Sequence, residues 1–232
     1  MKNVRHGFAI FFAVVTMTAL IAGAAPPAAA EVSAQQGLVD AALVTFNNFM
    51  RAESMTWLRD HLHEARGLLI IPNLLRGGFI LGGSGGRGVL LVRDAKGQWS
   101  PPAYYSLGSV NFGLLIGGEA AEVLMVIRTQ AAVDKLLASS SFKLGGDLAI
   151  TVGPFGGGAK TNIMADIYSF ALSRGLYVGV SLEGAIVATR DEWNAAYYGG
   201  AVSPAEILIL NSVSNPGAEN LRQAIAQAAV VR

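Results

Sequence analysis

The sequence contains no cysteine. Disulfides, thiolate nucleophiles, cysteine-ligated metals and a lipidated N-terminal cysteine are therefore all excluded. Charged residues are also scarce, at 14% of the chain, and 17 lysines and arginines nearly balance 16 aspartates and glutamates. A nucleic-acid-binding protein needs a clear basic excess, so this balance argues against a nucleic acid partner. The chain is 52% hydrophobic, and its fold must be held together by that apolar content.

Histidine is also rare, with three in 232 residues. His61 and His63 lie two residues apart on a predicted helix, so they point to roughly opposite sides and cannot easily share a metal ion. We therefore predict no metal site, no cofactor and no catalytic residue. A serine hydrolase using Ser84 is the least favoured function, because its triad would need a histidine after the serine, and none follows His63.

The first thirty residues predict an export signal. Lys2 and Arg5 form a basic start, Phe8–Ala22 is an uncharged apolar run, and Ala28–Ala30 has the small residues of a signal peptidase site. We expect cleavage after Ala30 and a periplasmic protein, with a retained membrane anchor as the alternative. Because the segment holds two basic and no acidic residues, its removal leaves 15 basic and 16 acidic side chains.

A helical region is predicted at the start of the mature chain. Residues 38–65 carry apolar side chains at near-helical spacing, after a loose terminus over residues 31–36. A break is expected at Glu53, with Ser54 as the N-cap of the second helix. This amphipathic face is expected to pack on a sheet, and a helix lying on a membrane surface is the functional alternative.

Three more helices are predicted from their caps. Thr129 precedes an apolar pattern over Gln130–Ala138, and Ser203-Pro204-Ala205-Glu206 is a capping box with proline at the first helical position. Asn215-Pro216 starts the last helix, which has an apolar face.

The middle of the chain predicts a mostly antiparallel sheet, because short apolar runs alternate with glycine-rich turns. The predicted strands are 68–71, 78–82, 88–92, 103–107, 112–116, 122–127, 142–152, 164–172, 176–180 and 184–189. Many of them contain glycine, which weakens a strand and marks bulges or close approach of another backbone. A strongly curved sheet, up to closure into a barrel, accounts for so many glycines, and a ligand against bare backbone would account for some of them.

Two glycine-rich segments resemble functional loops. Gly82–Gly88 contains both G-x-S-x-G and G-x-G-x-x-G spacings, but each motif needs a helix after the loop. Val89–Val92 predicts a strand instead, so we interpret these glycines as a turn between two antiparallel strands. In Gly153–Lys160, backbone N–H groups and Lys160 could bind an anion, and Phe155 could contact an acyl chain. An ordinary long hairpin connection is the alternative.

An ordered series of short motifs between Asp60 and Ile207 resembles the SYLF domain family, a lipid-binding module. The motifs are Ala65-Arg66-Gly67-Leu68-Leu69-Ile70-Ile71-Pro72, Gly78–Gly88, Gln98-Trp99-Ser100-Pro101-Pro102, Phe142-Lys143-Leu144-Gly145, Gly153-Pro154, Tyr168-Ser169, Ser173-Arg174-Gly175-Leu176, Gly179–Gly184 and Tyr197-Tyr198-Gly199. The resemblance implies a β-rich domain with flanking helices and no known enzymatic activity. Eukaryotic relatives bind phosphoinositides, and some bind actin.

We thus expect an α+β fold whose curved, glycine-rich sheet is flanked by N-terminal and C-terminal helices. The expected divisions are a signal peptide (1–30), a helical segment (31–65), the SYLF domain (66–207) and a C-terminal helix (208–232). The favoured function is an exported, non-enzymatic domain that binds phospholipid or another lipid, and an envelope scaffold that binds a protein is the alternative. The candidate lipid-binding residues are Arg59, Arg66, Arg87, Phe155, Lys160 and Arg174.

Overall fold

A computed structural model describes residues 28–78, 81–112, 117–153, 165–173, 176–178 and 180–230. The helices are α1 (Ala28–Arg51), α2 (Thr56–His61), α3 (Gln130–Ala138), α4 (Asp191–Tyr198), α5 (Pro204–Leu208) and α6 (Glu219–Ala228). Short 3₁₀ turns flank α2 and precede α6. No helix in these residues combines the length and apolar character needed to cross a bilayer.

The strands of the described residues form one sheet around four long antiparallel members. They are β1 (Gly67–Gly78), β2 (Leu81–Val92), β3 (Ala103–Phe112), β4 (Gly117–Ile127), β5 (Ser141–Lys143), β6 (Ile150–Val152), β7 (Ile167–Ser173), β8 (Leu176–Tyr177) and β9 (Ile186–Thr189). The strand order is β5-β9-β3-β2-β1-β4-β7-β6, with β8 also pairing β7. Only the β6–β7 pair of these is parallel.

The sheet is strongly curled into a half-barrel with helices at both ends, which confirms the predicted fold class. Part of this curvature has a local cause in β1. Its register against both neighbouring strands shifts between Ile70 and Leu75, where Pro72 interrupts the ladder. Proline cannot donate a backbone hydrogen bond, and such bulges bend and twist a strand.

Helices cover both faces of the sheet. On one face, Leu68 and Ile70 of β1 belong to a core that includes Phe46 and Phe49 of α1 and Ile225 of α6. On the other face, alternate residues of the same strands form a second core with α3 and α5. We call the first the α1 face and the second the α3 face. Because side chains alternate along a strand, adjacent residues of β1 serve different cores.

The glycine segment Gly82–Gly88 was wrongly predicted as a turn, since all of it lies within β2. Two of its glycines are needed because β1 approaches β2 closely at the bulge. A Cβ on Gly88 would lie 2.3 Å from the Ile70 carbonyl oxygen, and one on Gly86 would lie 2.8 Å from the Asn73 oxygen. Real Cβ atoms essentially never approach backbone so closely, so a side chain at either position would force the backbone of β1 or β2 to shift. No helix follows the segment, as predicted.

Several predicted boundaries are confirmed and others are corrected. Residue 78 and residues 81–82 of one predicted strand belong to two different strands, β1 and β2. Thr129 caps α3, and Ser203 and Glu206 form the predicted capping box of α5. Residues 31–36, expected to be loose, continue α1 as helix, and Gln35 is buried there.

Two further corrections concern a helix cap and a strand. The predicted helix break at residue 53 exists, but Ser54 does not cap α2, whose N-cap position is Met55 without a side-chain bond. The single strand predicted over residues 142–152 is two strands, β5 and β6. The turn between them begins at Gly145 with φ of +79°, a left-handed conformation that few other residues adopt.

Candidate functional site

Ser84 takes part in a pair of hydroxyl groups. It lies on the α3 face of β2, opposite Ser109 of β3, and the two Oγ atoms are 2.7 Å apart. The neighbouring pair on this face is Arg76 and Glu119, whose charged groups are 3.8 Å apart. In the described residues no histidine contacts Ser84, since His61 stacks on Trp57 at the opposite end of the sheet. Within the described residues, the partner of the Ser84 hydroxyl is another hydroxyl, whereas a nucleophilic serine is activated by an adjacent base such as histidine.

The two histidines that the structure describes, His61 and His63, have structural partners. The His61 ring lies 4.1 Å from the Trp57 ring, nearly parallel to it, and His61 Nδ1 is 2.9 Å from the Trp57 carbonyl oxygen. His63 Nε2 is 4.0 Å from a Glu64 carboxylate oxygen. Within the described ranges, no three histidine, aspartate or glutamate side chains converge in a way that could hold a metal ion.

The residues that the structure describes do not cover the α1 face of the sheet along its whole length. Towards the β1–β2 connection, Leu75 is 59% exposed and Val110 is 71% exposed. Both side chains lie on this face. Leu75 pairs with Gly85, which pairs with Gly108, while Val110 lies one row further out, opposite Gly83. We call these five residues the open end, which is apolar and has little side-chain bulk.

A groove of about 720 Å³ lies between α1 and the open end. We call it the basic groove. Its lining residues are Ala34, Gly37, Leu38, Ala41, Pro72, Asn73, Leu75, Gly85, Gly86, Arg87, Ser106, Arg190 and Trp193. Among the lining residues whose side chains the structure describes, Arg87 and Arg190 are the ionisable ones. Its volume is in the range of small-molecule binding sites.

The guanidinium groups of both groove arginines contact the indole ring of Trp193. Trp193 lies in the first turn of α4, and the guanidinium carbons of Arg87 and Arg190 lie 4.9 Å and 5.5 Å from its ring centre. Such contacts contribute about 0.5–1 kcal/mol each at exposed sites. The sheet and the helix bring these residues together, since Arg87 is in the middle of β2 and Arg190 directly precedes α4.

Glu192 neutralises part of this positive charge. Its carboxylate accepts a hydrogen bond of 2.6 Å from Arg190 Nε. The backbone N–H of Glu192 and, after it, the Arg190 side chain lower the pKa of this carboxyl. Glu192 is therefore ionised at neutral pH, and it pairs with Arg190 outside the lining of the groove.

The structure places the candidate lipid-binding residues in different surroundings. Arg87 lies in the basic groove. Arg59 donates to the Ala52 carbonyl oxygen at 2.6 Å and to Met50 at 3.3 Å, so its guanidinium caps the end of α1. Arg66 is exposed at the opposite end of β1 from the groove. The remaining three candidates, Phe155, Lys160 and Arg174, lie outside the described residues.

Sequence reasoning missed Arg190 and Trp193. They stand about a hundred residues from Arg87, and no local spacing links them to it. The available signal was weak, an arginine and a tryptophan around the acidic pair Asp191-Glu192, directly after the last predicted strand. Only the pairing of β3 with β9 brings the start of α4 beside β2 and β3.

Comparison with known proteins identifies the family. The profile described as "Ysc84: Las17-binding protein actin regulator" matches residues 108–228, more than half of the chain. The chain belongs to the Ysc84 family. This is the SYLF family that the motif series resembles, so the predicted relationship is confirmed.

Similar proteins in this family come from yeasts and mammals. An SH3 domain-containing protein of Schizosaccharomyces pombe is 34% identical over 68% of this chain and 37% of its own length. The human SH3 domain-containing YSC84-like protein 1 is 30% identical over 68% of this chain and 47% of its own. LAS seventeen-binding protein 3 of Saccharomyces cerevisiae is 32% identical, over 64% and 34% respectively. The chain thus spans between a third and a half of these relatives.

Proposed function

We propose that this Ysc84-family chain is a non-enzymatic module that binds membrane surfaces through its open end. The observation that carries the proposal is the order of side chains along the α1 face of β2 and β3. Val89 and Tyr104 are buried, Arg87 and Ser106 line the basic groove, and Val110 lies two rows beyond them, opposite Gly83. In this direction the α1 face therefore changes from a buried core to a row with a cationic side chain and then to a row with an exposed apolar side chain.

The spacing of these rows suits a membrane interface. Arg87 and Gly83, the partner of Val110, are four residues apart on β2, which corresponds to about 13 Å along a strand. If Val110 and Leu75 enter the acyl boundary, Arg87 and Arg190 lie at the level of the head groups. Trp193 lies with them, and tryptophan favours this boundary because its ring is apolar and its N–H is polar.

The expected binding is weak and reversible. Burial of a valine or leucine side chain contributes roughly 1.5–3 kcal/mol, and each basic residue near an anionic surface adds about 1 kcal/mol. Glu192 offsets part of the charge. Two apolar and two basic side chains therefore support peripheral attachment rather than stable insertion.

Sedimentation with phospholipid vesicles tests this proposal. The wild-type protein should pellet with vesicles that contain anionic lipid. Leu75→Asp combined with Val110→Asp should abolish pelleting, because charged side chains cannot enter the acyl boundary. The control is Val44→Asp on α1, since Val44 is 58% exposed and Leu75 is 59% exposed. Equal pelleting of all three proteins, or of none, would contradict the proposal.

A protein-binding scaffold is the second candidate. It is favoured by the relatives, because the family profile describes an actin regulator that binds Las17 and one relative is named for that partner. The open end could equally pack against a protein. Co-sedimentation with filamentous actin and affinity capture from the source cell would test this alternative. It would be supported by one captured partner that the Leu75→Asp/Val110→Asp variant no longer binds, together with no pelleting with vesicles.

We also propose that the chain is exported after cleavage behind Ala30. The support is the order of basic, apolar and small residues over positions 1–30. N-terminal sequencing of the protein from fractionated cells should give Glu31 as the first residue. A first residue before Phe8, in protein from the cytosolic fraction, would refute export.

A further inference from the structure

The two long walls of the basic groove carry little side-chain bulk. One wall is a stripe of α1 whose residues follow the i, i+3, i+4, i+7 spacing of a single helix face, namely Ala34, Gly37, Leu38 and Ala41. The other wall is the sheet around Leu75, where two glycines of β2 also line the groove. Because the distance between packed elements depends on the side chains at the contact, small residues let a docked segment approach closely.

A helix suits this groove better than an extended peptide. The strands below the groove are already paired on both sides, β1 with β2 and β4 and β2 with β1 and β3, so an extended peptide cannot join the sheet there. Such a peptide would bring an unpaired N–H and C=O from almost every residue, and the polar side chains of the described lining are Asn73, Arg87, Ser106, Arg190 and Trp193. A helix satisfies its backbone hydrogen bonds internally. Helices therefore dock by their apolar face in grooves of this type.

Positive charge prevails among the groups that line the groove. Arg190 contacts one carboxylate oxygen of Glu192 through both Nε and Nη2, at 2.6 Å and 2.5 Å, so its charge is largely offset. Arg87 is exposed and forms no ion pair within the described part of the chain. Its guanidinium carbon lies 4.9 Å from the ring centre of Trp193, a contact that holds the group without neutralising it. An acidic side chain is therefore the complement of Arg87.

Arg87 and Trp193 are also the residue types that dominate protein interfaces. Truncation of an arginine or a tryptophan often has the largest effect on the affinity of two proteins. Both residues line the groove, where Arg87 is exposed and Trp193 is half-buried. The α1 wall is about 10 Å long, or about two helical turns. A docked helix of similar length can place apolar residues against Leu38 and Leu75 and one carboxylate on Arg87.

We infer that the basic groove docks an acidic amphipathic helix of a partner protein, with the apolar face of that helix against Leu38 and Leu75 and one of its carboxylates on Arg87. This inference goes beyond the membrane proposal and does not rest on it, because it requires neither a lipid nor the exposed side chain of Val110. Charge selects an acidic partner, since a second copy of this chain docked groove to groove would bring the same positive charge to the contact.

Gly37 allows the groove to be blocked by one substitution. It is exposed, and a Cβ at this position would meet no atom within 4 Å. Gly37→Leu should therefore fill part of the groove without disturbing the core, and leucine favours a helix more than glycine does. Gly200→Leu is the matched control, because a Cβ there also has no neighbour within 4 Å and Gly200 is not among the described lining residues. Unchanged circular dichroism would establish that both variants fold.

Selection from a displayed library of helical peptides supplies the probe. The peptides are about 16 residues long, so that they can form an isolated helix, and their surface positions are randomised. Binders of the Gly37→Leu variant are removed before selection on the wild-type protein. Selection should enrich amphipathic sequences with glutamate or aspartate beside the apolar face. Failure to enrich any sequence, or enrichment of sequences without an acidic residue, would overturn the inference.

Fluorescence anisotropy of the most enriched peptide locates its contacts. Gly37→Leu should weaken binding at least about tenfold by steric exclusion, and Arg87→Gln should weaken it about tenfold because it removes a charged donor. Gly200→Leu and Arg66→Gln should bind as the wild type does, since Arg66 lies at the opposite end of β1 from the groove. Equal affinity of wild type and Arg87→Gln would overturn the inference, as would a peptide that gains no helical circular dichroism on binding.

The outcomes also separate this inference from the membrane proposal. If vesicles pellet the protein but no peptide is enriched, the groove inference fails and the membrane proposal stands. If the peptide binds and Arg87→Gln weakens it while no vesicle pellets the protein, the groove inference stands and the membrane proposal fails. Two results would assign the groove to another occupant and overturn the inference. They are vesicle pelleting that Gly37→Leu abolishes without any peptide binding, and a dimer of the wild-type protein that Gly37→Leu dissociates.

Discussion

The same strands behave differently in their two halves. In the covered half, β1 and β2 present large apolar side chains to both faces, such as Leu68 and Val89 on the α1 face and Leu90 on the α3 face, and all three are fully buried. In the open end, the α1 face of these strands holds glycine, Leu75 and, from β3, Val110, and the two apolar side chains are mostly exposed. The pairing of β2 with β3 continues without a shift across both halves, while β1 changes register at the bulge between them.

The side chains of the covered half form the core of the fold, whereas those of the open end are available for contacts with a partner. Backbone hydrogen bonds maintain the ladder in the open end, so its side chains are not needed for a core. The α3 face of this end is polar, with the Ser84–Ser109 pair beside Arg76 and Glu119. The end of the sheet is therefore amphipathic, which suits a surface that touches an apolar environment on one side only.

High pH should have the largest effect on the stability of the fold, because it ionises tyrosines that are buried in the covered half. Burial raises the pKa of Tyr104, Tyr105 and Tyr198 well above the ordinary value of a tyrosine, and that of Tyr197 to about 12. A raised folded-state pKa gives stability that is complete below the unfolded value, about 10, and is lost as pH rises towards the folded one. The protein should therefore lose stability progressively as pH rises above about 10. Ultraviolet absorbance should show these tyrosines ionising only as circular dichroism is lost, and ionisation with the fold intact would contradict the burial described.

Truncation of a core side chain should give the next largest effect. Phe49 of α1 is fully buried, and Phe49→Ala should lower the free energy of unfolding by about 3–5 kcal/mol. Val110→Ala in the open end should change it by less than about 0.5 kcal/mol. Urea denaturation measures the free energy of unfolding of both variants. Similar losses of this free energy at the two sites would contradict the distinction between the covered half and the open end.

Glycine substitutions sharpen the comparison within one strand. Gly88→Ala should destabilise the protein by about 1–3 kcal/mol or more, because its Cβ would meet the Ile70 backbone. Gly85→Ala should be nearly neutral, since its Cβ would have only one neighbour, the Leu107 oxygen at 3.9 Å. Thermal denaturation of the two variants would test this, and a neutral Gly88→Ala would show that the bulge can relax.

The smallest effect is expected at the capping box of α5. Ser203 accepts a hydrogen bond from the Glu206 N–H, while the Glu206 carboxylate accepts from Ser203. Ser203→Ala should lower the free energy of unfolding by about 1 kcal/mol. The bonds from Ser203 lower the pKa of Glu206, so their contribution is present above its unfolded pKa and is lost as pH falls through the folded one. Denaturation at pH 7 and at pH 3 should show a larger cost at pH 7, and an equal cost at both would contradict the paired geometry.

The sequence predicts the elements better than their arrangement. Caps with defined chemistry, Thr129 and Ser203, give the starts of α3 and α5 correctly because the side chain itself satisfies the backbone. The glycines of β2 mislead because their spacing is typical of turns. Glycine is required in β2 because β1 approaches it closely at the bulge. The contact between Gly88 and Ile70 joins two strands, so no local sequence pattern encodes it.

The candidate site was only partly predictable for the same reason. Arg87 is recognisable as a cation in a glycine-rich segment, but its partners depend on tertiary structure. Trp193 and Arg190 reach it only because α4 follows β9 and packs beside β3. Arg59 shows the converse, since a basic residue on an amphipathic helix turns inward to cap α1.

The most direct test of the membrane account uses the absence of cysteine from the chain. A single cysteine introduced as Val110→Cys can carry an environment-sensitive fluorophore, with Val44→Cys on α1 as the matched position. When anionic vesicles are added, emission from position 110 should shift to the blue and be quenched by lipids brominated on the acyl chain, while emission from position 44 should stay unchanged. Vesicles that bind the protein without changing the emission at position 110, or that change it equally at position 44, would contradict the account.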